Sequence, residues 1–169
     1  NAQIYFGIRP EDRVLICTPL FHSLGLNILA LPALYCGATL ILHDGFDPET
    51  VWNDVATENV TYMGGVPTQY ERMYEALQSP EASPPSSLRF LFTAGAAIPV
   101  ELIHAYAERN LVLKQGYGQT ETSILTCLDE SDAIRKAGSV GRPVFHGEVR
   151  VVAQELIPKP TAEWRPTEA

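Results

Sequence analysis

The chain has 169 residues and a formal net charge of −8, from 12 Lys and Arg against 20 Asp and Glu. Hydrophobic residues make up 46% and charged residues 19%, which is typical of a folded globular protein and argues against a disordered one. Because the balance is acidic and the sequence has no block of basic residues, we expect no nucleic-acid binding.

Apolar runs of alternating length predict strands that alternate with helices over the first 115 residues. Strands are predicted at 13–19, 38–44, 60–65, 88–95 and 111–115. The intervening helices are predicted at 24–37, 46–59, 67–78 and 99–110, the first of them kinked or shortened at Pro32. Asp47 is the expected N-cap of its helix, and three helices have proline at the first position (Pro48, Pro67, Pro99). This alternation predicts an α/β fold, a mainly parallel sheet with helices on both faces.

Beyond Thr126 the periodic pattern loosens into a polar stretch, a glycine-bounded turn and one more strand. The end of the chain is rich in proline and has little periodicity. We therefore predict an α/β subdomain at 1–127, the start of a following subdomain at 128–152, and a truncated or loosely ordered tail at 153–169. A Pro- and Ser-rich surface loop is predicted at 79–87.

The longest uncharged run, residues 23–42, is close to the length that spans a bilayer. Asn27, Pro32 and a break at Cys36-Gly37 divide it, so we expect a buried helix and strand and no transmembrane segment. The three cysteines are odd in number and widely spaced, which suits a reducing compartment better than a disulfide framework. We therefore expect a cytoplasmic protein.

Four predicted strand ends have a composition that suits ligand binding. They are rich in glycine, small residues and hydroxyls, and they read TPLFH (18–22), GGVPT (64–68), TAGAA (93–97) and QGYGQTE (115–121). In parallel α/β sheets, ligands bind beyond the carboxyl ends of the strands. We expect these four segments to lie along one edge of the sheet.

The segment QGYGQTE begins like a dinucleotide-binding G-x-G-x-x-G motif, but Glu121 stands at the third glycine and would repel a pyrophosphate. The same residues suit a magnesium-bound nucleotide. Backbone N–H groups of a Gly116–Gly118 turn could approach a phosphate, Thr120 could donate to a phosphate oxygen, Glu121 could hold Mg²⁺, and Tyr117 could stack on a purine. The alternative is a glycine turn followed by a Thr N-cap and an acidic first helical residue. Spacing alone leaves both open.

Other catalytic patterns are weak or missing. His22 follows a strand and could line a pocket, although a lone histidine in an apolar segment is usually a packed or capping residue. Cys17 and Cys36 with His22 and His43 do not have the spacing of a zinc site. The sequence has neither a G-x-S-x-G elbow nor a G-x-x-x-x-G-K-[ST] loop.

Six segments in order, TPLFHSLGL, GATLIL, VTYMGGVPTQYERM, LRFLFTAGAAIP, QGYGQTE and GSVGRP, resemble the middle of the adenylate-forming superfamily, the AMP-dependent synthetases and ligases. The resemblance covers roughly residues 10–152 and is closest to bacterial fatty-acyl and aryl-acid CoA ligases. It implies that a carboxylic acid reacts with ATP and Mg²⁺ to give an acyl-adenylate, which is then transferred to coenzyme A. A fatty acid is the first expectation for the acid and an aryl acid the second.

The resemblance also implies the roles of individual residues. It assigns Thr120 to the α-phosphate and Glu121 to Mg²⁺, and both are the expected catalytic residues. The implied nucleotide-binding residues are Gly95, Ala96, Ala97, Gly116, Tyr117, Gly118 and Thr120. The implied acyl-pocket residues are His22, Gly116 and Leu125. Residues 1–127 would then be a nucleotide- and acyl-binding subdomain.

Departures from the family pattern limit these expectations. Amino-acid-activating members usually have an aspartate after the phenylalanine that corresponds to Phe21, whereas His22 follows here, so an amino-acid-adenylating domain is disfavoured. The family's phosphate loop, ribose-binding aspartate and adenylation lysine are not among these residues. We therefore expect a fragment of the large N-terminal domain that is inactive alone. The alternative is a non-catalytic α/β binding or scaffold domain of the same fold.

Overall fold

The computed structural model describes residues 1–77 and 84–163. Its strands are β1 (Arg13–Ile16), β2 (Thr39–Leu42), β3 (Tyr62–Gly65), β4 (Phe90–Thr93), β5 (Leu113–Gln119), β6 (Ser123–Cys127) and β7 (Arg142–Pro143). Its α-helices are α1 (Ala2–Phe6), α2 (Leu31–Tyr35), α3 (Pro48–Thr57), α4 (Pro67–Ala76) and α5 (Val100–Glu108). A π-helix, Leu24–Ala30, leads directly into α2, and short 3₁₀ turns lie at Glu130–Asp132, Gln154–Leu156 and Thr161–Glu163.

All seven strands form one sheet in the order β2-β1-β3-β4-β5-β6-β7. The strands from β2 to β5 in that order are parallel, and β6 and β7 are added antiparallel. The predicted α/β fold with a mainly parallel sheet is confirmed. Because β7 pairs with β6, the sheet crosses the subdomain boundary predicted at residue 127. The division of the chain at that point stays a prediction.

Alternate residues of the central strands supply two separate cores, one on each face of the sheet. On one face, side chains of β1, β3 and β4 pack against α1, the π-helix and α2: Val14, Ile16, Tyr62, Phe90 and Phe92. On the other face, the neighbouring side chains pack against α3, α4 and α5: Leu15, Met63, Leu91 and Leu113. Each such fully buried side chain contributes roughly 1.5–3 kcal/mol. The prediction of helices on both faces is therefore confirmed.

Helix starts follow the predicted capping chemistry with one exception. Asp47 caps α3, because its Oδ2 accepts hydrogen bonds from the Thr50 backbone N–H at 2.9 Å and from the Thr50 hydroxyl at 2.7 Å. Pro67 is the first residue of α4. Pro99 was expected at the first helical position but is the N-cap of α5, because its ψ of 133° is not helical.

We predict a pH-dependent contribution of the Asp47 cap to stability. Hydrogen bonds from the Thr50 backbone N–H and hydroxyl lower the pKa of the Asp47 carboxyl. Because the pKa is lower in the folded state, the ionised carboxyl stabilises the fold at pH values above its ordinary pKa of about 3.9. This stabilisation is lost as the pH falls through the folded-state pKa. Asn keeps a capping oxygen but does not ionise. The melting temperature of Asp47→Asn should therefore lie below that of the unsubstituted protein by a constant amount above about pH 5, and the gap should close below about pH 4. A gap that stays constant to pH 2.5 in thermal denaturation would contradict the assignment.

The run at 24–35 is helical as predicted, but its hydrogen bonding changes along its length. Residues Leu24–Ala30 are π-helical and the chain becomes α-helical from Leu31. Pro32 has no N–H to donate and its ring crowds the carbonyl four residues back, and the wider π turn before it removes this conflict. Gly37, with φ 79°, ends the helix in the left-handed region. Within the described ranges, no helix combines the length and the apolar character needed to cross a membrane.

The largest departure from the predicted elements is at QGYGQTE. The strand predicted to end at Gln115 continues to Gln119, and the chain turns at residues 120–122 into β6, which had not been predicted. The Gln119 N–H donates to the Thr122 hydroxyl at 3.1 Å, and the Thr122 N–H donates to the Gln119 carbonyl at 3.2 Å. The interpretation of Gly116–Gly118 as a turn is therefore wrong, and so is the alternative in which Thr120 caps a helix.

Helix α1 was also not predicted, since five residues are too few to show a helical period. Two cations hold its carboxyl end. The Lys114 Nζ donates to the Tyr5 carbonyl at 2.9 Å, and the Arg89 Nη2 donates to the Phe6 carbonyl at 3.3 Å. Residues 79–83 of the predicted loop and 164–169 of the predicted tail lie outside the described residues.

Candidate active site

A cavity of about 500 Å³ lies at the carboxyl ends of β1, β3, β4 and β5, between the π-helix and the β5–β6 hairpin. Each of the four predicted strand-end segments contributes to its lining, as the parallel-sheet rule requires. The polar lining residues are Thr18, His22, Ser23, Gln69, Gln119, Thr120 and Ser123. The larger apolar ones are Leu24, Ile28, Val66, Phe92, Tyr117 and Ile124.

The structure brings most of the expected site residues together around this cavity. Those that line it are His22, Gly95, Gly116, Tyr117, Gly118 and Thr120. Glu121 is exposed in the turn directly after Thr120. Ala96 and Ala97 are exposed in the loop after β4 and do not line the cavity. Leu125 does not line it either, whereas its neighbour Ile124 does, because successive residues of β6 point to opposite faces.

The glycines of QGYGQTE are required by close packing between strands and not by a turn. A Cβ at position 116 would lie 2.6 Å from the Phe92 Cζ, and one at position 118 would lie 1.9 Å from the Ser123 carbonyl oxygen. Real Cβ atoms essentially never make contacts this short, so a larger residue would force the Phe92 ring or the Ser123 backbone to move. Gly116 and Gly118 therefore add no side chain to the part of the cavity wall that β5 forms.

The hairpin turn contains Thr120, which lines the cavity, and the exposed Glu121, which does not line it. Glu121 follows Thr120 in the turn between Gln119 and Thr122. Ser123, the first residue of β6, has φ 56°, a left-handed conformation that non-glycine residues rarely adopt. Such strain is typical of ligand-binding loops that the surrounding structure holds in place. The Tyr117 side chain is 42% exposed beside this turn.

The donor set fits a magnesium ion that arrives with a nucleotide. Among the described residues, no group of three or more His, Cys, Asp or Glu side chains could hold a metal ion. Mg²⁺ needs only one or two protein carboxylates when phosphates and water complete its shell, and Glu121 can supply one. Cys17 and Cys127 are poor zinc ligands, because burial raises the pKa of both thiols to about 11.

Sequence reasoning gave no individual role to several polar residues of this region, although Thr93 and Gln115 lie in the predicted strand-end segments. Thr93 and Gln115 are register partners on β4 and β5, both are buried, and neither the Thr93 Oγ1 nor the Gln115 Oε1 has a hydrogen-bond partner within the described ranges. Gln69 lines the cavity from the first turn of α4. The signal that could have identified Thr93 and Gln115 is a polar residue at the carboxyl end of an otherwise apolar strand.

Comparisons with known proteins agree with this geometry. The model of the family described as AMP-binding enzyme matches residues 1–163. The chain is 37% identical over 164 residues to a feruloyl-CoA synthase from an Amycolatopsis species, which covers 96% of this chain and 33% of that protein. It is 39% identical over 146 residues to an indoleacetate–CoA ligase from Aromatoleum aromaticum, covering 86% of this chain and 28% of that protein.

A solved structure of a coenzyme A synthetase has the same fold. The o-succinylbenzoate coenzyme A synthetase from Bacillus subtilis, in complex with ATP and magnesium ion, superposes with a TM-score of 0.80 at 29% identity, over 90% of this chain and 31% of that one. The chain thus spans about a third of the length of the relatives that it matches. With a family match over nearly all of its residues and this shared fold, the chain belongs to the family of AMP-binding, adenylate-forming enzymes.

Proposed function

We propose that the intact protein is an AMP-forming acid–thiol ligase, which activates a carboxylic acid with ATP and transfers the acyl group to coenzyme A. The observation that supports this most directly is the β5–β6 hairpin, whose turn contains Thr120, a residue of the cavity lining, and directly after it the exposed Glu121. A hydroxyl donor and a single carboxylate are suited to an α-phosphate and its Mg²⁺. In a scaffold domain without chemistry, nothing would require this pair in this turn.

The proposed reaction has two steps, and each forms one bond and breaks another. A carboxylate oxygen of the acid attacks the α-phosphorus of ATP, and the bond to the β-phosphate oxygen breaks to release pyrophosphate. The thiolate of coenzyme A then attacks the acyl carbon, and the bond to AMP breaks. The first step concentrates negative charge on the α-phosphate oxygens. Thr120 stabilises that charge by donating a hydrogen bond, and Glu121 would hold Mg²⁺, which supplies positive charge to the phosphates.

The nucleotide and the acyl group occupy different parts of the cavity in this proposal. The Tyr117 ring stacks on adenine beside the loop that contains Gly95, Ala96 and Ala97. His22, Gly116 and apolar residues of the π-helix border the acyl group, with Ile124 in the position that had been expected for Leu125. Leu24 and Ile28 make this wall apolar, so the acyl group is apolar as well.

An aryl acid is the substrate class that the relatives favour. Their names specify ferulic, indoleacetic and 2-succinylbenzoic acids, each with an aromatic ring. The sequence resemblance ranks a fatty acid first and an aryl acid second, and the relatives reverse this order. A fatty acid remains the second candidate because the cavity wall is apolar. The unpaired thiols Cys17, Cys36 and Cys127 are consistent with a cytoplasmic enzyme.

We expect the intact protein to catalyse acid-dependent ATP–pyrophosphate exchange. In a panel of ferulate, indoleacetate, 2-succinylbenzoate, decanoate and phenylalanine, one of the aryl acids should give a kcat/KM about tenfold or more above decanoate. Phenylalanine should give none, because no carboxylate follows Phe21 to pair with an α-ammonium group. Residues 1–169 alone serve as the inactive control. If none of the acids supported exchange, the scaffold alternative would be favoured.

A further inference from the structure

Gln69 lies at the end of the cavity that is away from the hairpin. It stands in the first turn of α4, just after β3, and lines the cavity with Thr18 and Val66. Its Oε1 accepts a hydrogen bond from the Val66 backbone N–H at 3.0 Å. Its Nε2 lies 3.7 Å from the Cys17 Sγ at the end of β1. The side chain is therefore fixed between two strand ends.

The orientation of this carboxamide leaves a hydrogen-bond donor without a strong partner. Because the oxygen is held by a backbone N–H, the amino group is the part left to face other groups. An amino group has two N–H donors, and a thiol sulfur is a weak acceptor that uses at most one of them. Thr18 also lines the cavity, and its Oγ1 is buried and has no hydrogen-bond partner among the described residues. This end of the cavity thus has unused hydrogen-bonding capacity, which is costly unless a ligand or a water molecule uses it.

The group that would bind here is neutral and remote from the reaction centre. Among the described residues that line the cavity, none is Asp, Glu, Lys or Arg. Gln69 is held between the ends of β3 and β1, which the sheet order places two and three strand positions from β5, or about 10 to 14 Å at about 4.8 Å per strand. A group at this end is therefore not the reacting carboxylate, which under the proposed function lies near Thr120. It belongs to the far part of the acid or to the amide-bearing arm of coenzyme A.

We propose that Gln69 is a specificity-determining residue that donates a hydrogen bond to a neutral oxygen of a co-substrate, at the end of the cavity opposite the Thr120–Glu121 turn. This inference rests on the proposed ligase function. The oxygen is either a ring substituent of the acid or an amide carbonyl of coenzyme A. The hydrogen bond is the same in both cases.

The chain offers a matched pair of variants, because Gln69 also caps α4. Glu at this position can accept the same hydrogen bond from the Val66 N–H, so Gln69→Glu keeps the cap but has no donor. Gln69→Met removes both the cap and the donor and introduces no charge. A purely structural role predicts an effect only in Gln69→Met, together with a lower melting temperature. A binding role predicts a loss of kcat/KM in both variants.

The test uses the intact protein and two assays. ATP–pyrophosphate exchange is measured without coenzyme A, with the best acid of the panel and with its analogue that lacks the remote polar group, such as cinnamate for ferulate. Thioester formation is measured at varied coenzyme A. If Gln69 binds the acid, both variants lower kcat/KM about tenfold for the substituted acid and leave the analogue unchanged. If it binds the thiol, exchange is unchanged and the KM for coenzyme A rises by a similar factor.

Two outcomes would overturn the inference. Gln69→Glu could behave like the unsubstituted protein in both assays, or the variants could lose activity equally with all acids in step with a fall in melting temperature. Either result would leave Gln69 as a helix cap only. A failure of the proposed ligase function is distinct, because the unsubstituted protein would then show no exchange with any acid.

Discussion

Replacing Glu121 by Gln in the intact protein should slow acyl-adenylate formation by about two orders of magnitude or more, which is the cost of removing one charge-stabilising group from a transition state. Glutamine keeps the shape and length of the side chain but has no negative charge with which to hold Mg²⁺. Glu121 is exposed in the hairpin turn, so its loss should leave the fold unchanged. The expected defect is therefore in chemistry and not in stability.

The measurement is ATP–pyrophosphate exchange at limiting and at saturating Mg²⁺. The defect should be larger at limiting Mg²⁺, because the variant has lost a ligand of the ion and not a contact with the acid. Glu75→Gln is a matched control, since Glu75 is exposed on α4 and does not line the cavity. It should have the rate of the unsubstituted protein. If Glu121→Gln kept its rate at limiting Mg²⁺, the role assigned to Glu121 would be wrong.

The parallel part of the fold could be predicted because its signals are local. The strand 60–65 and the helix 67–78 have distinct hydrophobic periods, and Pro67 marks the boundary between them. The strand-end rule then places ligands at the correct edge of the sheet without knowledge of strand order. The predicted fold and the position of the cavity both follow from these two steps.

The hairpin could not be predicted because its glycines are required by contacts with neighbouring strands. A sequence with two glycines separated by one residue suggests a turn, and the prediction followed that preference. The structure shows that Gly116 is required by Phe92, which is 24 positions earlier in the chain, and Gly118 by the carbonyl of Ser123 on the paired strand. The first contact depends on the pairing of β4 with β5 and the second on the pairing of β5 with β6, and the sequence shows neither pairing.

The difference between Leu125 and Ile124 has the same origin. A shift of one residue in a strand moves every side chain to the opposite face. Without β6 in the predicted elements, its inward positions could not be assigned, and the resemblance assigned Leu125 to the acyl pocket. Ile124 lines the cavity instead. Gln69 was missed for a different reason, since its capping role can be seen in sequence but its position beside a cavity cannot.

The hairpin geometry leads to a second prediction of large effect, for Gly118→Ala. The added Cβ would lie 1.9 Å from the Ser123 carbonyl oxygen and 2.8 Å from its carbonyl carbon. Both atoms belong to the backbone of the partner strand, so no side-chain rotation can relieve the clash. The pairing is already irregular here, with a register shift between Tyr117 and Gly118. The two strands must separate, and we expect a destabilisation of about 3 kcal/mol.

The same separation would displace the turn that contains Thr120 and Glu121. A misplacement of about 1 Å at reacting groups costs about a hundredfold in rate, so ATP–pyrophosphate exchange should fall by at least about that factor. Gly45→Ala is the matched control, because a Cβ at that position meets no atom within 4 Å and the backbone there is not left-handed. Thermal denaturation and exchange should be measured on both variants of the intact protein. If Gly118→Ala melted and reacted like Gly45→Ala, β5 and β6 could not be paired as described, and the position of the turn that contains Thr120 and Glu121 would lose its structural basis.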